Sequence, residues 1–319
     1  MGGVKRILRA LAFLPMRMAT AYSRLLSRIR SDWGYSWNDM LSTSIANQTT
    51  EVFHGGGQSR VRMLFYTPNS VCRFRASTFS SKEPETLEWI DRYGGNGAFF
   101  DVGANIGLYS VYYAKTHPGN VYAFEPSVLN LGLLAKNLSA NGLSDRAVIV
   151  PNPLTSRNQV ADFHMSILEE GEAMSTFGER FGHDGQLLNE QMRYRTTGYA
   201  LDFLIDAGIL SEVPSLMKID VDGIEHLILR GAVKLLANAT LRTILIEVND
   251  DFIDLSTNVR DSLLSGGFVL SQRRHAEMFE GGAYAHSYNQ IWVRGDSDPR
   301  LYASAELGQE LNPLGEFPI

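Results

Sequence analysis

Between residues 98 and 294, short apolar runs of strand character alternate with stretches of helical periodicity, and this pattern constrains the chain most. "AFFDVG" reads as a buried strand, "IGLYSVYYAKTH" as a helix stopped at Pro118, and "NVYAFEP" as a second strand. A helix through "SVLNLGLLAKNLSANG" follows, with Ser127 as cap and Gly142 as stop, and "AVIVPN" is the third strand. "SLMKIDVDG" is the fourth strand, one helix runs through "IEHLILRGAVKLLANA", and "RTILIEVN" is the fifth strand. A helix near residues 256–265 and the strands "GFVLSQ" and "QIWVRG" close the series. Alternation of this kind predicts an α/β fold with a doubly wound, Rossmann-like, mostly parallel sheet covered on both faces.

The α/β domain is placed at residues 96–295, preceded by a lead-in at 32–95 and followed by a tail at 296–319. In the lead-in, "FHGGGQSR" is a glycine-rich turn, and "RVRMLFYTPNS" and "VCRFRAS" read as two short strands around a Pro-Asn turn. "SSKEPETLEWIDRYGGNG" reads as a helix capped by Ser80 and Glu83 and ended by Gly94 and Gly95.

Residues 1–31 form a separate electrostatic segment. They carry Lys5, Arg6, Arg9, Arg17, Arg24, Arg28 and Arg30 and no acid, a charge of +7; with −6 overall, −13 remains for residues 32–319. Val4, Ile7, Leu8, Leu11, Leu14, Met18, Tyr22, Leu25 and Ile29 follow at three- or four-residue steps, which predicts an amphipathic helix kinked at Pro15. No run reaches the ~18 apolar residues of a membrane span. A helix packed on its own domain, a peripheral membrane contact through residues 4–30 and an organelle transit peptide remain as readings.

The turn "DVGANIG" after the first strand lies, by topology, under the ligand crevice of a doubly wound sheet. Gly103 and Gly107 let a ligand approach the backbone. The spacing Asp101-x-Gly103-x-Asn105-x-Gly107 differs from the G-x-G-x-x-G of pyrophosphate binders, and an acid there suits a cationic ligand. S-adenosyl-L-methionine, with its ammonium and sulfonium beside a ribose, has the right charges. Glu125, 22 residues after Gly103 at the end of the second strand, is placed to accept both ribose hydroxyl protons. Asn152, after the third strand, completes the cofactor-side set.

"FFDVGANIGLYSVYYAK", "VYAFEPSVLNLGLLAKNLSANGL", "LMKIDVDGIEHLILRGA" and "ILIEVN", in this order, resemble the FkbM family of S-adenosylmethionine-dependent methyltransferases, and "KEPETLEWID" matches the usual lead-in. The resemblance covers about residues 80–295. It implies a seven-stranded class I methyltransferase sheet with its last-inserted strand antiparallel, and methylation of a hydroxyl on a saccharide or other small molecule. Where the family usually has "DVEG", this chain has "DVDG", with Asp222 in the acidic position. No metal is implied.

Methyl transfer from a sulfonium to a hydroxyl needs alignment above all and gains from a base within hydrogen-bond reach. Asp220, at the end of the fourth strand, is the first candidate; Asp222, Glu247 and His226 are the others. Glu225 reads equally as a helix-dipole residue, and the lone His226 reads also as packing. Asp220, Glu247 and Asn249 together are a conceivable Mg²⁺ site, although a divalent metal is not expected. Lys218 reads as facing a helix layer or solvent. The stretch between the third and fourth strands is longer than a crossover needs. There "VADFHMS" and "RYRTTGYA" are expected to pair as strands flanking a mobile flap beside the crevice, with Ser175 and Thr176 as contacts.

The rival readings are a nicotinamide-dependent oxidoreductase and a non-catalytic S-adenosylmethionine-binding module. The first is disfavoured by Asp101, by the glycine spacing, and by the lack of a Tyr-x-x-x-Lys pair after the fourth strand. The acidic balance and the absence of an Asn/Asp-Pro-Pro-aromatic run argue against a nucleic-acid partner. A single cysteine, Cys72, excludes an internal disulfide framework, so a cytoplasmic setting is the default, with membrane association open and oligomeric state unassigned.

Overall fold

The computed structural model describes residues 14–282 and 284–295. Helices α1 (Leu14–Ile29) and α2 (Ser31–Ala46) form a hairpin, followed by the antiparallel pair β1 (Thr49–His54) and β2 (Val61–Tyr66). Residues 4–13 of the expected amphipathic helix and the tail at 296–319 lie outside the described residues. The glycine-rich turn joins β1 to β2. "VCRFRAS", expected as a strand, is instead helix α3 (Ser70–Ser77): Asn69 Oδ1 accepts the Cys72 N–H at 2.8 Å as an N-cap, and Cys72 and Ala76 are buried at helical spacing. The expected capping box is also replaced. Ser80 belongs to the short α4 (Phe79–Lys82), while α5 (Pro84–Tyr93) starts on a proline after Glu83, whose side chain turns inward, and ends at Gly94.

The main sheet then assembles from β3 (Ala98–Val102), β4 (Val121–Phe124) and β5 (Ala147–Val150), linked by α6 (Leu108–Thr116) and α7 (Val128–Ala140). A small sheet of β6 (Gln159–Met165), β7 (Ser175–Phe177) and β8 (Met192–Gly198) follows; β6 and β8 pair antiparallel, as the flanking-strand expectation requires. The chain continues through α8 (Leu201–Asp206), β9 (Pro214–Ile219), α9 (Glu225–Arg230) and α10 (Val233–Ala237). It closes with β10 (Thr243–Asn249), α11 (Ile253–Ser265), β11 (Phe268–Arg274) and β12 (Ser287–Arg294). The helix expected through "IEHLILRGAVKLLANA" is broken at Gly231. There the backbone passes so close to Thr155 that a Cβ would stand 2.2 Å from its carbonyl oxygen, and the Gly231 carbonyl accepts the Asp202 N–H.

The seven strands run in the order β11-β12-β10-β9-β3-β4-β5, with β12 antiparallel to both neighbours. This is the doubly wound sheet that the alternation predicts, with the one inserted antiparallel strand that the FkbM resemblance implies. Period-two alternation splits its apolar side chains between two cores. Phe100, Met217, Ile219 and Ile244 pack under α8 to α11, while Phe99, Leu216 and Leu245 pack under α5, α6 and α7. Strand order reverses between β3 and β9, so the crevice opens at their carboxyl ends.

Candidate active site

A cavity of about 380 Å³ occupies that crevice. Its walls come from the lead-in, the β3–α6 turn, the ends of β4, β9 and β10, the small sheet, and the segment before β12.

On the β3–β4 side, Gly103 and Asn105 take left-handed conformations, φ 85° and 51°. A side chain at Gly103 would strike the Asp220 carbonyl oxygen at 1.8 Å, so its glycine is demanded by strand packing as well as by the turn. Gly107, also at φ 85°, is absent from the cavity wall; a Cβ there would stand 2.6 Å from Leu134 Cδ1, so it serves the seat of α6 against α7. Glu125 is buried at the wall. Its Oε2 accepts the Asn105 N–H at 2.7 Å and its Oε1 the Ser127 N–H at 2.8 Å, which fixes the carboxylate plane. Burial, only partly offset by those two N–H groups and the Asn130 side chain, pushes the Glu125 carboxyl up to about 7. Ser127 holds the N-cap position of α7, but its hydroxyl makes no cap bond. Asn152 lines the wall and donates to the Thr197 carbonyl at 3.1 Å. Asp101 stands behind the wall. Its Oδ2 accepts from Ser110 at 2.6 Å, its Oδ1 has no hydrogen-bond partner among the described residues, and burial raises its carboxyl against the pull of Lys218.

On the β9–β10 side the charges converge. Lys218 and Asp220 are two residues apart, so the pleat points both the same way, and the Lys218 ammonium reaches Asp220 Oδ2 at 2.5 Å. Lys218 is therefore a cavity residue, not the helix-layer or solvent residue expected from sequence; its ammonium also stands 5.2 Å from the Tyr109 ring. Burial opposes the charge of Asp220, yet Lys218 and a hydrogen bond from Glu247 hold its carboxyl well below the usual range. Glu247 is pushed the other way, first by burial and then by the Asp220 charge, so it keeps its proton. Glu83, from the lead-in, joins the group: Lys82 Nζ lies 2.6 Å from its Oε1, and the Tyr109 hydroxyl donates to its Oε2 at 2.8 Å. Against its burial, Lys82 and Lys218 keep Glu83 ionised.

The remaining candidates are placed elsewhere. His226 is absent from the cavity wall; it packs edge-on against Phe252 at 6.3 Å, and burial with Arg230 lowers its proton affinity. Asn249 is also off the wall, with its Oδ1 accepting the Asp251 N–H. No group of three or more His, Cys, Asp or Glu side chains stands at metal-holding geometry among the described residues. Glu225 locks the turn after β9 by accepting the Val221 and Gly223 N–H groups, and burial pushes it up to about 7 despite those bonds. Asp222 lines the wall at φ 62°, but its Oδ2 accepts the Met174 and Ser175 N–H groups at 2.8 and 3.3 Å. Burial and then Asp220 raise its carboxyl.

Asp222 thereby ties down the segment expected as a flap. Asn69 and Asn105 donate to the carbonyls of Glu170 and Glu172, and Asn130 accepts the Gly171 N–H, so with Asp222 residues 170–175 are moored to four parts of the chain. Ser175 and Thr176 line the cavity as expected. Glu83, Tyr109, Tyr284 and Asn289 had no signal of their own in the sequence and reach the wall only through folding.

The model of the Methyltransferase FkbM domain matches residues 101–270, more than half of the chain. The chain belongs to the FkbM methyltransferase family. A relative, the methyltransferase sdnD of Sordaria araneosa, is 30% identical over 158 residues, covering 43% of this chain and 60% of its own length. Among solved structures, FkbM from Methylobacillus flagellatus KT is 13% identical with a TM-score of 0.44, over 70% of this chain and 52% of that one. Sp1610 of Streptococcus pneumoniae, solved in complex with S-adenosyl-L-methionine, is 14% identical with a TM-score of 0.37, over 67% of this chain and 73% of that one. The matched span runs from Asp101 to the middle of β11, and so contains the "DVGANIG" turn, Glu125 and the Lys218–Asp220 pair.

Proposed function

We propose that this FkbM-family protein transfers a methyl group from S-adenosyl-L-methionine to a hydroxyl of a saccharide or another hydroxylated small molecule. The observation that carries the reading is one cavity holding both Glu125, with its carboxylate plane fixed, and the ionised Asp220. The residues fit the donor. Glu125 brings a fixed carboxylate to the wall for a ribose diol, the Gly103–Asn105 turn lies beside it, and the acidic walls suit a sulfonium and an ammonium. Bound there, the cofactor supplies an electrophilic methyl.

The protein's own work is to hold the acceptor. Asp220 is a hydrogen-bond acceptor held in place by Lys218, and its depressed proton affinity makes it a positioning group that orients a hydroxyl and takes its proton late. Glu247, kept protonated, donates to Asp220 and so limits its rotation. Among the described residues, the buried Glu85 Oε2, Thr176 Oγ1 and Ser287 Oγ of wall residues lack a hydrogen-bond partner.

The test is calorimetric titration with S-adenosyl-L-methionine and with a nicotinamide dinucleotide, followed by labelled-methyl turnover against nucleotide sugars, lipid-linked glycans and hydroxylated metabolites. Methyl-donor binding with transfer to a hydroxyl supports the reading. Dinucleotide binding in place of the methyl donor would overturn it, and donor binding without turnover on any acceptor class would leave a binding module.

A further inference from the structure

The N-terminal hairpin has its polarity inside out. Its two helices meet along small residues: Ser23 and Gly34 are the buried ones, Ser23 Oγ donates to the Gly34 carbonyl at 3.4 Å, and a Cβ on Gly34 would stand 1.7 Å from Ser27 Oγ. On the side of α1 away from this contact lie Leu14, Met18, Leu25 and Ile29, with Tyr22 at the border beside Trp37 of α2; the five are spaced three or four residues apart and 47–63% exposed. A hairpin built for water buries such a stripe; this one presents it. α2 adds exposed Trp33, Met40 and Leu41. Among the described residues, neither helix makes more than marginal contact with any element but the other.

Charge indicates what covers the stripe. Arg17, Arg24 and Arg28, spaced seven and four residues apart, run along one edge of it, and no acid precedes Asp32. Long arginine stems beside an apolar stripe, with aromatic rings at its border, match the headgroup layer of an anionic bilayer. The Tyr22 and Trp37 rings meet edge-on at 5.0 Å, and the Arg30 guanidinium stands 5.7 Å from the Trp33 ring. A second copy is a poorer occupant, since joining two such faces sets arginines against arginines. No described helix is long and apolar enough to cross a membrane, so the contact is peripheral.

We propose that residues 14–46 dock the protein on an anionic lipid surface, with the apolar stripe of α1 in the headgroup layer and its arginines on the phosphates. The full chain should sediment with vesicles of phosphatidylcholine mixed with phosphatidylglycerol at low salt, come off as salt rises, and stay in the supernatant with phosphatidylcholine alone. Arg17→Gln, Arg24→Gln and Arg28→Gln together should lower binding by roughly tenfold or more, since each basic residue adds to the surface attraction. Met18→Asp with Leu25→Asp should abolish binding while keeping the charges of the arginines. Circular dichroism and melting monitor folding of both variants, and the salt series on the unaltered chain stands without them. Failure of that chain to bind anionic vesicles at low salt overturns the proposal, as does equal binding by all three proteins. A dimer by light scattering that Leu25→Asp makes monomeric, without vesicle binding, assigns the stripe to a second copy and overturns it as well.

Discussion

The Lys218 ammonium stands 2.5 Å from Asp220 Oδ2 at the mouth of the cavity, with the Lys218 side chain almost fully buried. Removing the cation while leaving the carboxylate isolates a buried charge. Lys218→Met should therefore cost about 3–5 kcal/mol of stability at neutral pH, the range for breaking a buried pair from one side. In the unaltered chain Asp220 binds its proton less tightly when folded, so its pairing stabilises above its unfolded value near 3.8 and fades as pH falls through its lower folded value. The deficit of Lys218→Met should accordingly persist down to about pH 4 and shrink below it, read as converging urea midpoints. A deficit independent of pH would assign Lys218 to packing alone.

Glu125 sits near neutrality when the cavity holds no ligand, with burial pushing its carboxyl up to about 7. Hydroxyl donors and a nearby sulfonium favour the ionised form, so binding of the methyl donor should release protons below pH about 7 and tighten as pH rises through that value. Calorimetry in two buffers of different ionisation heat reads the release directly. Glu125→Ala should weaken donor binding by roughly 1.5–3 kcal/mol, the range for hydrogen bonds to a charged group. Unchanged affinity in a folded variant would remove the ribose role.

Glu225 offers a stability measurement free of ligand. Its carboxyl is pushed up to about 7 in the fold against an ordinary value of 4.5, so the fold binds the proton more tightly than the unfolded chain does. Its contribution is complete below about 4.5 and is lost as pH rises through about 7, on the order of 3 kcal/mol in all. Glu225→Gln keeps an oxygen for the Val221 and Gly223 N–H groups and should flatten this part of the profile. Identical pH slopes in both proteins would contradict the burial account.

For the chemistry, Asp220→Asn should cut turnover by about 10²–10⁴-fold with little change in donor affinity, the usual worth of a positioned acid or base. His226→Asn should leave turnover within a few-fold, because that ring lies off the cavity wall. Chelator should have no effect on either protein. Turnover abolished by chelator and restored by Mg²⁺ would instead require a metal at Asp220 and Glu247, and full activity in Asp220→Asn would remove its positioning role.

Asp222 links the β9 turn to residues 174 and 175, so Asp222→Ala frees two backbone donors at the cavity wall. The expected effect is on the acceptor: KM should rise several-fold or more, and Asp222→Asn, which keeps an accepting oxygen, should recover most of it. Equal losses in both variants would point to the charge rather than the mooring.

By itself the sequence determined the strand–helix alternation, the parallel sheet with its crevice, the "DVGANIG" turn and Glu125 at the end of β4, because these follow from local periodicity and from fixed offsets within one strand–helix unit. Tertiary structure decided which polar groups face the cavity. Lys218 was misplaced because period-two alternation names the face but not what covers it, and the Asp220 carboxylate lies on that same face. His226 and Gly107, candidates from sequence, stand off the cavity wall, against Phe252 and Leu134. Glu83, Tyr109 and residues 172–175 reach the wall through contacts between segments apart in the chain, held by side-chain hydrogen bonds that leave no periodic trace. "VCRFRAS" became a helix because one asparagine caps it and two small side chains bury at helical spacing, a tertiary condition that outweighs the strand character of a short apolar run.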